Sequence, residues 1–369
     1  MERSAPNGRD RGRGGLVATL SGRTRLTDIA EQAGVSTATV SRVLNGKHGV
    51  SSHTRQAVLA ALDVLGYERP DRLHSRPAGL VGLVVPELSN PVFPAFAQVI
   101  ETMLSDRGYT PLLCTQSPGG TTEDQYVEML LEHGVDGIVF VSGLHADTSA
   151  STERYQRLRS RGIPLVLVNG YAEGVDAPTV STDDAAAMEQ AIRHLTSLGH
   201  RSIGLAVGPT RFVPVRRKID AFSELLRRQG VAEPEQHIVS TLFTVEGGQS
   251  AALELIESGH TAVICGSDLM ALGAVRAARS RGLQVPDDLS VVGFDDSPLI
   301  AFTDPPLTTI RQPVAAMGHA AVAALVAEIR STPVSRAELL FQPELVARGS
   351  TGAAPTSTVA LSGPAAAAV

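Results

Sequence analysis

The stretch Val35–Gly46, VSTATVSRVLNG, decides how the front of this chain folds. Ser and Thr are mediocre helix formers because their hydroxyls compete for backbone hydrogen bonds. Even so, Val40, Val43 and Leu44 fall where one helical face would bury them. The spacing predicts a short helix with Ser36 as its N-cap and Asn45-Gly46 as its stop. Just before it, LTDIAEQAG (26–34) reads as another short helix, with Thr27 as cap, Ile29, Ala30 and Ala33 on one face and Gly34 as the stop. Only Gly34-Val35-Ser36 separates the two, and Ala30, Ala33 and Gly34 are small enough for close approach. That is the pattern of a helix-turn-helix pair. A third helix is expected over SHTRQAVLAALDVLG (52–66), with Val58, Leu59, Leu62 and Leu65 as its apolar stripe.

In such a pair the amino end of the second helix meets base edges. Thr37 and Ala38 project from that end, and Arg42, one turn on, has the reach for a guanine edge. Ser36, Thr39, Ser41 and Asn45 offer short donors suited to phosphate oxygens. The plainer alternative is a helical hairpin with a solvated hydroxyl face.

The charge is unevenly spread. The 369-residue chain has a formal net charge of -6, yet residues 1–76 hold 12 Lys+Arg against 7 Asp+Glu, a balance of +5. The remainder has 20 and 31, a balance of −11. A basic head on an acidic body points to a polyanion partner for the head alone, although Arg3, Arg9, Arg11 and Arg13 sit in a Gly-rich tail. That tail has no apolar core stretch, so it does not read as a secretory signal. No run approaches the roughly 18 apolar residues that span a membrane, and a cytoplasmic protein is expected. The two cysteines, Cys114 and Cys265, lie in apolar strand-like runs and are expected as buried free thiols.

After the connector YERPDRLHSRPAG (67–79) the periodicity changes. LVGLVVP, GIVFVSG, PLVLVNG, SIGLAVG, AVICGSD and LSVVGFDD are short strand runs, and helical segments such as FPAFAQVIETMLSDRG lie between them. The order is βαβ, so parallel sheets are expected, in two similar halves that meet near residue 180. Residues 351–369 are of low complexity and read as a disordered tail.

Catalytic constellations are missing from the sequence: there is no P-loop, HExxH, CxxC or GxSxG, and GLVVPELSNP lacks the glycines of a dinucleotide fingerprint. The expectation is therefore no catalytic residue, no metal and no cofactor. His194 and His200 are six apart, not a one-face metal spacing, and are expected to face solvent. Among the paired acids, Asp295-Asp296 ends a strand run, where open α/β sheets present groups to ligands.

LTDIAEQAGVSTATVSRVLNGKHGVSSHTRQAVLAALDVLGY (26–67) resembles the DNA-binding head of the lactose-repressor/galactose-repressor family of bacterial transcription regulators. The likeness resumes in GLVVPELSNPVFPAFAQVIE, CGSDLMALGAVRAARSRGLQVPDDLSVVGFDD, PPLTTIRQP and ELVARGST. The resemblance implies an α/β protein with a three-helix helix-turn-helix head at 25–67 after a basic tail at 1–24. It further implies a hinge at 68–80 and a body at 81–350 like a periplasmic sugar-binding protein, built as two subdomains (81–181 with 313–340, and 182–310 with 341–350). It also implies a homodimer on a pseudo-palindromic double-stranded DNA operator, with a sugar or sugar-like ligand in the cleft of each body. Carried over by position, Thr37, Ala38 and Arg42 would read bases, and Ser36, Thr39, Ser41 and Asn45 would position the helix. Asn90, Val92, Phe93, Asn169, Arg216, Phe243 and Asp295 would face the ligand. The hinge departs from the family: its connector is shorter, and Leu73, between Pro70 and Pro77, is the only leucine available to wedge the minor groove. A solute-binding protein without DNA-dependent regulation is the rival reading.

Overall fold

In the computed structural model, residues 26–44, 49–65, 79–116 and 119–356 are described. Asn45 and Leu73, expected at the DNA, lie outside them. The chain divides into two compact units, 1–76 and 77–369.

Among the described residues the first unit has three helices: α1 (Leu26–Gln32), α2 (Thr37–Leu44) and α3 (Ser52–Val64). Their shared core is Ile29, Ala30, Val40, Val43, Leu44, Val58, Ala61 and Leu62, all buried. Each fully buried aliphatic of this kind contributes about 1.5–3 kcal/mol, which explains why helices this short persist. Gly34, in the turn between α1 and α2, takes φ +63°, a region that glycine enters without a Cβ penalty. Ser36 caps α2: the Thr39 amide donates to its Oγ at 3.2 Å. Thr27 is not a cap, since α1 already begins at Leu26.

The second unit holds two six-stranded sheets. The first contains β1 (Gly79–Val85), β2 (Tyr109–Thr115), β3 (Gly137–Val141), β4 (Leu165–Val168), β5 (Thr179–Thr182) and β11 (Leu339–Phe341), in the order β11-β5-β4-β3-β1-β2. The second contains β6 (Ile203–Val207), β7 (Ile238–Ser240), β8 (Ala262–Cys265), β9 (Ser290–Asp295), β10 (Thr308–Arg311) and β12 (Glu344–Val346), in the order β12-β10-β9-β8-β6-β7. Every pairing is parallel except β10 with β12, which the parallel expectation did not include. The short β5, β10, β11 and β12 carry too few residues to announce themselves by periodicity.

Helices cover both faces. In the first lobe they are α4 (Val92–Asp106), α5 (Glu123–Glu132), α6 (Glu153–Ser160) and α11 (Val314–Ile329). In the second they are α7 (Asp184–Ser197), α8 (Val213–Arg228), α9 (Val245–Glu257) and α10 (Asp268–Ser280). The chain therefore passes between lobes three times: between β5 and α7, between β10 and α11, and between β11 and β12. Each sheet has buried apolar clusters on its two sides. Cys114 and Cys265 are buried and free. Among the described residues no helix is long and apolar enough to cross a membrane.

Two expectations are corrected. His200 is buried, not solvent-facing; its ring nitrogens meet Thr261 Oγ1 (2.9 Å) and Ser290 Oγ (2.9 Å). His194 is half-buried, with Nε2 2.9 Å from Thr351 Oγ1. The start of the supposed disordered tail is hydrogen-bonded instead. Gly352 N donates to Ser290 Oγ (3.0 Å) and Ala354 N to the Leu198 carbonyl (2.8 Å). Small-residue composition conceals this because backbone groups make the bonds.

Gly34→Ala forces a Cβ into the left-handed region at a cost of about 1 kcal/mol. Amide hydrogen exchange across α1–α3 is expected to quicken about fivefold, with protection in the body unchanged; unchanged exchange in the head would refute the role of this turn.

Candidate functional site

Open parallel sheets present ligand groups at the carboxyl ends of their strands, and here both sheets do so around one cavity of about 220 Å³. From the first lobe come Asn90 after β1, Ser142 after β3, and Asn169 after β4. From the second come Gly266 and Ser267 after β8 and Asp295 at the end of β9. Ser142, Asn169 and Asp295 have φ of 47°, 59° and 117°. Non-glycine residues held there cost of order 1–3 kcal/mol and cluster where function over-determines the backbone.

A buried polar chain links the lobes at the cavity floor. Asn169 Nδ2 and Thr182 Oγ1 donate to Gln312 Oε1 (3.1 and 2.7 Å), and Gln312 Nε2 donates to Asp295 Oδ1 (2.7 Å). Burial and the neighbouring Asp268 push the Asp295 carboxyl well above the usual carboxylate range. Burial likewise raises Asp268, to about 6, although the Ser297 amide and Thr309 Oγ1 donate to it (2.7 and 2.6 Å).

The walls are aromatic. Phe93, Phe212, Phe243 and Phe294 all line the cavity, with Phe212 and Phe243 rings 6.4 Å apart. Gly208, just after β6, makes room: a Cβ there would come within 2.1 Å of the Phe243 ring. The loop after β3 is fixed from below by Glu123. This buried carboxylate accepts from the Leu144 amide (2.9 Å), Gln116 Nε2 (3.2 Å) and the Tyr155 hydroxyl.

Six of the seven residues expected at the ligand line this cavity: Asn90, Val92, Phe93, Asn169, Phe243 and Asp295. Arg216 does not. It is exposed on α8, with Nε donating to the Thr210 carbonyl (3.0 Å). The cation in the cleft is Lys218, which is buried, ion-paired with Asp184 and 4.0 Å from the centre of the Phe294 ring. Helical spacing contained the signal. Val215, Phe222 and Leu226 form the buried stripe of α8, and Lys218 falls on it at i+3 whereas Arg216 lies 100° off. Asp184, Phe212, Phe294 and Gln312 were also missed. Asp184 directly follows Asp183, which caps α7 by accepting from the Ala186 amide (3.0 Å).

The lobes also touch at the rim. Arg211 Nε donates to Asp147 Oδ2 (2.7 Å), and the Thr148 amide donates to the Arg211 carbonyl (2.9 Å). Arg217 makes a two-pronged pair with Glu338 (2.8 and 2.7 Å).

In the head, α2 exposes Thr37, Ala38 and Arg42 and buries Val40, Val43 and Leu44, with Thr39 and Ser41 half-buried. Ser36, Thr39, Arg42, Ser51 and Thr54 line one shallow depression. The amino ends of α2 and α3 meet there, since Ser51 caps α3 by accepting from the Thr54 amide (3.1 Å). Helix amino ends, hydroxyls and an arginine in one concavity suit a phosphate backbone.

Residues 25–70 match the pattern of bacterial regulatory proteins of the lacI family, and residues 192–351 match that of the periplasmic binding protein-like domain. The HTH-type transcriptional regulator reg1 of Streptomyces lividans is 64% identical over 337 residues, covering 90% of this chain and 98% of its own. MalR of Streptomyces coelicolor is 62% identical over 336 residues, with 90% and 98% covered. Among solved structures, the transcriptional regulator CelR–cellobiose complex is similar at 32% identity and TM-score 0.66, covering 89% of this chain and 100% of that one. The lac repressor dimer bound to operator and an anti-inducer is similar at 27% identity and TM-score 0.65, with 89% and 99% covered.

A carboxyl whose folded-state pKa is raised stabilises the fold most at low pH and loses that contribution as pH rises through the raised value. Asp295→Asn keeps an acceptor for Gln312 and removes the charge. At pH 8 this variant is expected to melt about 2 °C or more above the parent, with the gap closing as pH falls from the raised value toward the ordinary carboxylate range. A variant less stable at pH 8 would contradict this electrostatic account.

Proposed function

Because the chain belongs to the lacI family of bacterial regulatory proteins and is, like them, a DNA-binding transcriptional regulator, we propose that a sugar held between the lobes of its body controls its grip on a pseudo-palindromic operator. It acts as a repressor, as a homodimer in the cytoplasm, and by binding alone, without catalysis. The observation that carries the reading is the cavity itself. Hydrogen-bonding groups from both lobes (Asn90, Asn169, Asp295) face a space walled by phenylalanines. Amides and a carboxyl satisfy hydroxyls, while rings cover the C–H face of a sugar. The cellobiose bound by the similar CelR supports the ligand class, and the operator-bound lac repressor dimer supports the assembly.

The mechanism follows from the three crossings. A ligand touching both lobes favours the arrangement in which Arg211–Asp147 and Arg217–Glu338 are made. It thereby shifts a two-state equilibrium by its difference in affinity for the two arrangements. On DNA, Thr37, Ala38 and Arg42 read bases, and Ser36, Thr39 and Ser41 position α2.

Operator affinity measured with and without maltose, cellobiose and ribose is expected to change by at least fivefold for one of them. Unchanged affinity in the presence of a sugar shown calorimetrically to bind would sink the coupling. Arg42→Ala is expected to lose about 1–3 kcal/mol of discrimination between operator and random DNA. Equal losses on both would reassign Arg42 to the backbone.

A further inference from the structure

The loop after β3 does two things for the cleft. Ser142 and Ala146 line the cavity, and the next two residues hold the opposite lobe. Asp147 Oδ2 accepts from Arg211 Nε (2.7 Å), the Thr148 amide donates to the Arg211 carbonyl (2.9 Å), and Asp147 forms an isolated β-bridge with Phe212. The place of this loop therefore sets part of the cavity wall and the grip between the lobes together. Its backbone is irregular, with Ser142 at φ 47° and a 3-10 turn over Leu144–Ala146. One buried carboxylate reaches its centre. Glu123 is fully buried in the first turn of α5, a helix that Thr122 already caps, so its carboxyl group is available for contacts outside the helix. Oε2 accepts from the Leu144 amide (2.9 Å) and from Gln116 Nε2 (3.2 Å). Oε1 accepts from the Tyr155 hydroxyl and lies 3.6 Å from Arg154 Nη1. The end of β2, the amino ends of α5 and α6, and the loop thus meet at one group. Gly143 permits the approach, since a Cβ there would come within 2.6 Å of Glu123 Oε2.

We infer, on the sugar reading above, that Glu123 is a positioning residue for effector binding: without lining the cavity itself, it holds the loop where Asp147 and Thr148 grip the second lobe. A loop placed in advance spares the ligand the cost of ordering it, which is how preorganisation becomes affinity. The reach of the side chain matters more than its charge. Leu144 and Tyr155 approach its two oxygens from different elements, and a carboxylate one methylene shorter does not span both. An amide of full length does. Its oxygen accepts from the Leu144 amide, and its nitrogen donates to the Tyr155 hydroxyl, which can accept as well as donate. Arg154 would still keep Asp124, whose Oδ2 lies 3.1 Å from its Nη2.

Calorimetric titration of the full chain with maltose, cellobiose and ribose tests this in the parent, Glu123→Asp, Glu123→Gln and Gly143→Ala, each checked for cooperative melting and operator binding. Gly143→Ala pushes on the same contact from the loop side and leaves Glu123 in place. The sugar that the parent binds is expected to be held about tenfold more weakly by Glu123→Asp and Gly143→Ala, and within about threefold of the parent by Glu123→Gln. Amide exchange over residues 142–148 without sugar is expected to quicken about tenfold in the same two variants, with β8 and β9 unchanged. Parent-like affinity and exchange in both of them overturn the inference and leave the sugar reading standing. Loss in Glu123→Gln with retention in Glu123→Asp also overturns it, because charge and not reach would then be the requirement. A parent that binds operator and none of the sugars overturns the sugar reading together with this inference. In an Arg211→Ala background, Glu123→Asp is expected to cost less than about threefold more. A further tenfold loss there would mean that the loop acts without its grip on the second lobe, and overturns the inference too.

Discussion

The side-chain amide of Gln312 joins the two lobes at the floor of the cleft, and groups from both lobes that face the cavity are tied through it. Its oxygen accepts from Asn169 and Thr182 in the first lobe, and its nitrogen donates to Asp295 in the second. A carboxylate in this place could accept but not donate, and an ammonium could donate but not accept. An amide does both, and Gln312 does so while largely buried. The residue also stands in the crossing from β10 to α11, just past the end of β10. Losing it would leave three buried polar groups short of a partner, each at a cost of about 1–3 kcal/mol.

Around that link the backbone is held under tension. Ser142, Asn169 and Asp295 each end a strand with positive φ. A regular strand would aim successive side chains above and below the sheet, away from the opposite lobe. The left-handed turn at the strand end redirects the side chain along the strand axis instead, toward the cavity. Burial of the flanking strands supplies the stability that this strain consumes. The carboxyl of Asp295 is held in the same place, and burial beside Asp268 raises its pKa.

The head solves a different problem with fewer residues. Its concave surface is lined by hydroxyls that serve first as caps, as with Ser36 on α2 and Ser51 on α3. Small capping residues keep the helix ends low and leave the concavity beside Arg42 open. The body carries the acidic excess, so the positive balance of the first 76 residues is confined to the part that meets a polyanion.

Much of this was legible in the chain itself. The helix-turn-helix followed from apolar spacing and Gly34, because local packing over three or four residues determines it. The parallel α/β body followed from alternating strand and helix periodicities, and Asp295 from its place at a strand end. The edge strands β11 and β12 and the hydrogen-bonded residues after Ser350 were not legible, because backbone bonds hold them and side-chain composition does not record those. The cleft cation was the instructive error. Arg216 and Lys218 are two residues apart and chemically alike, and only the rotation of α8 against its core decides which is exposed and which is drawn into the cleft beside Asp184. Sequence by itself determined which elements form and which residue types stand near their ends. The tertiary structure alone decided which of them share one cavity, because that depends on how two sheets distant in sequence turn their carboxyl ends toward each other.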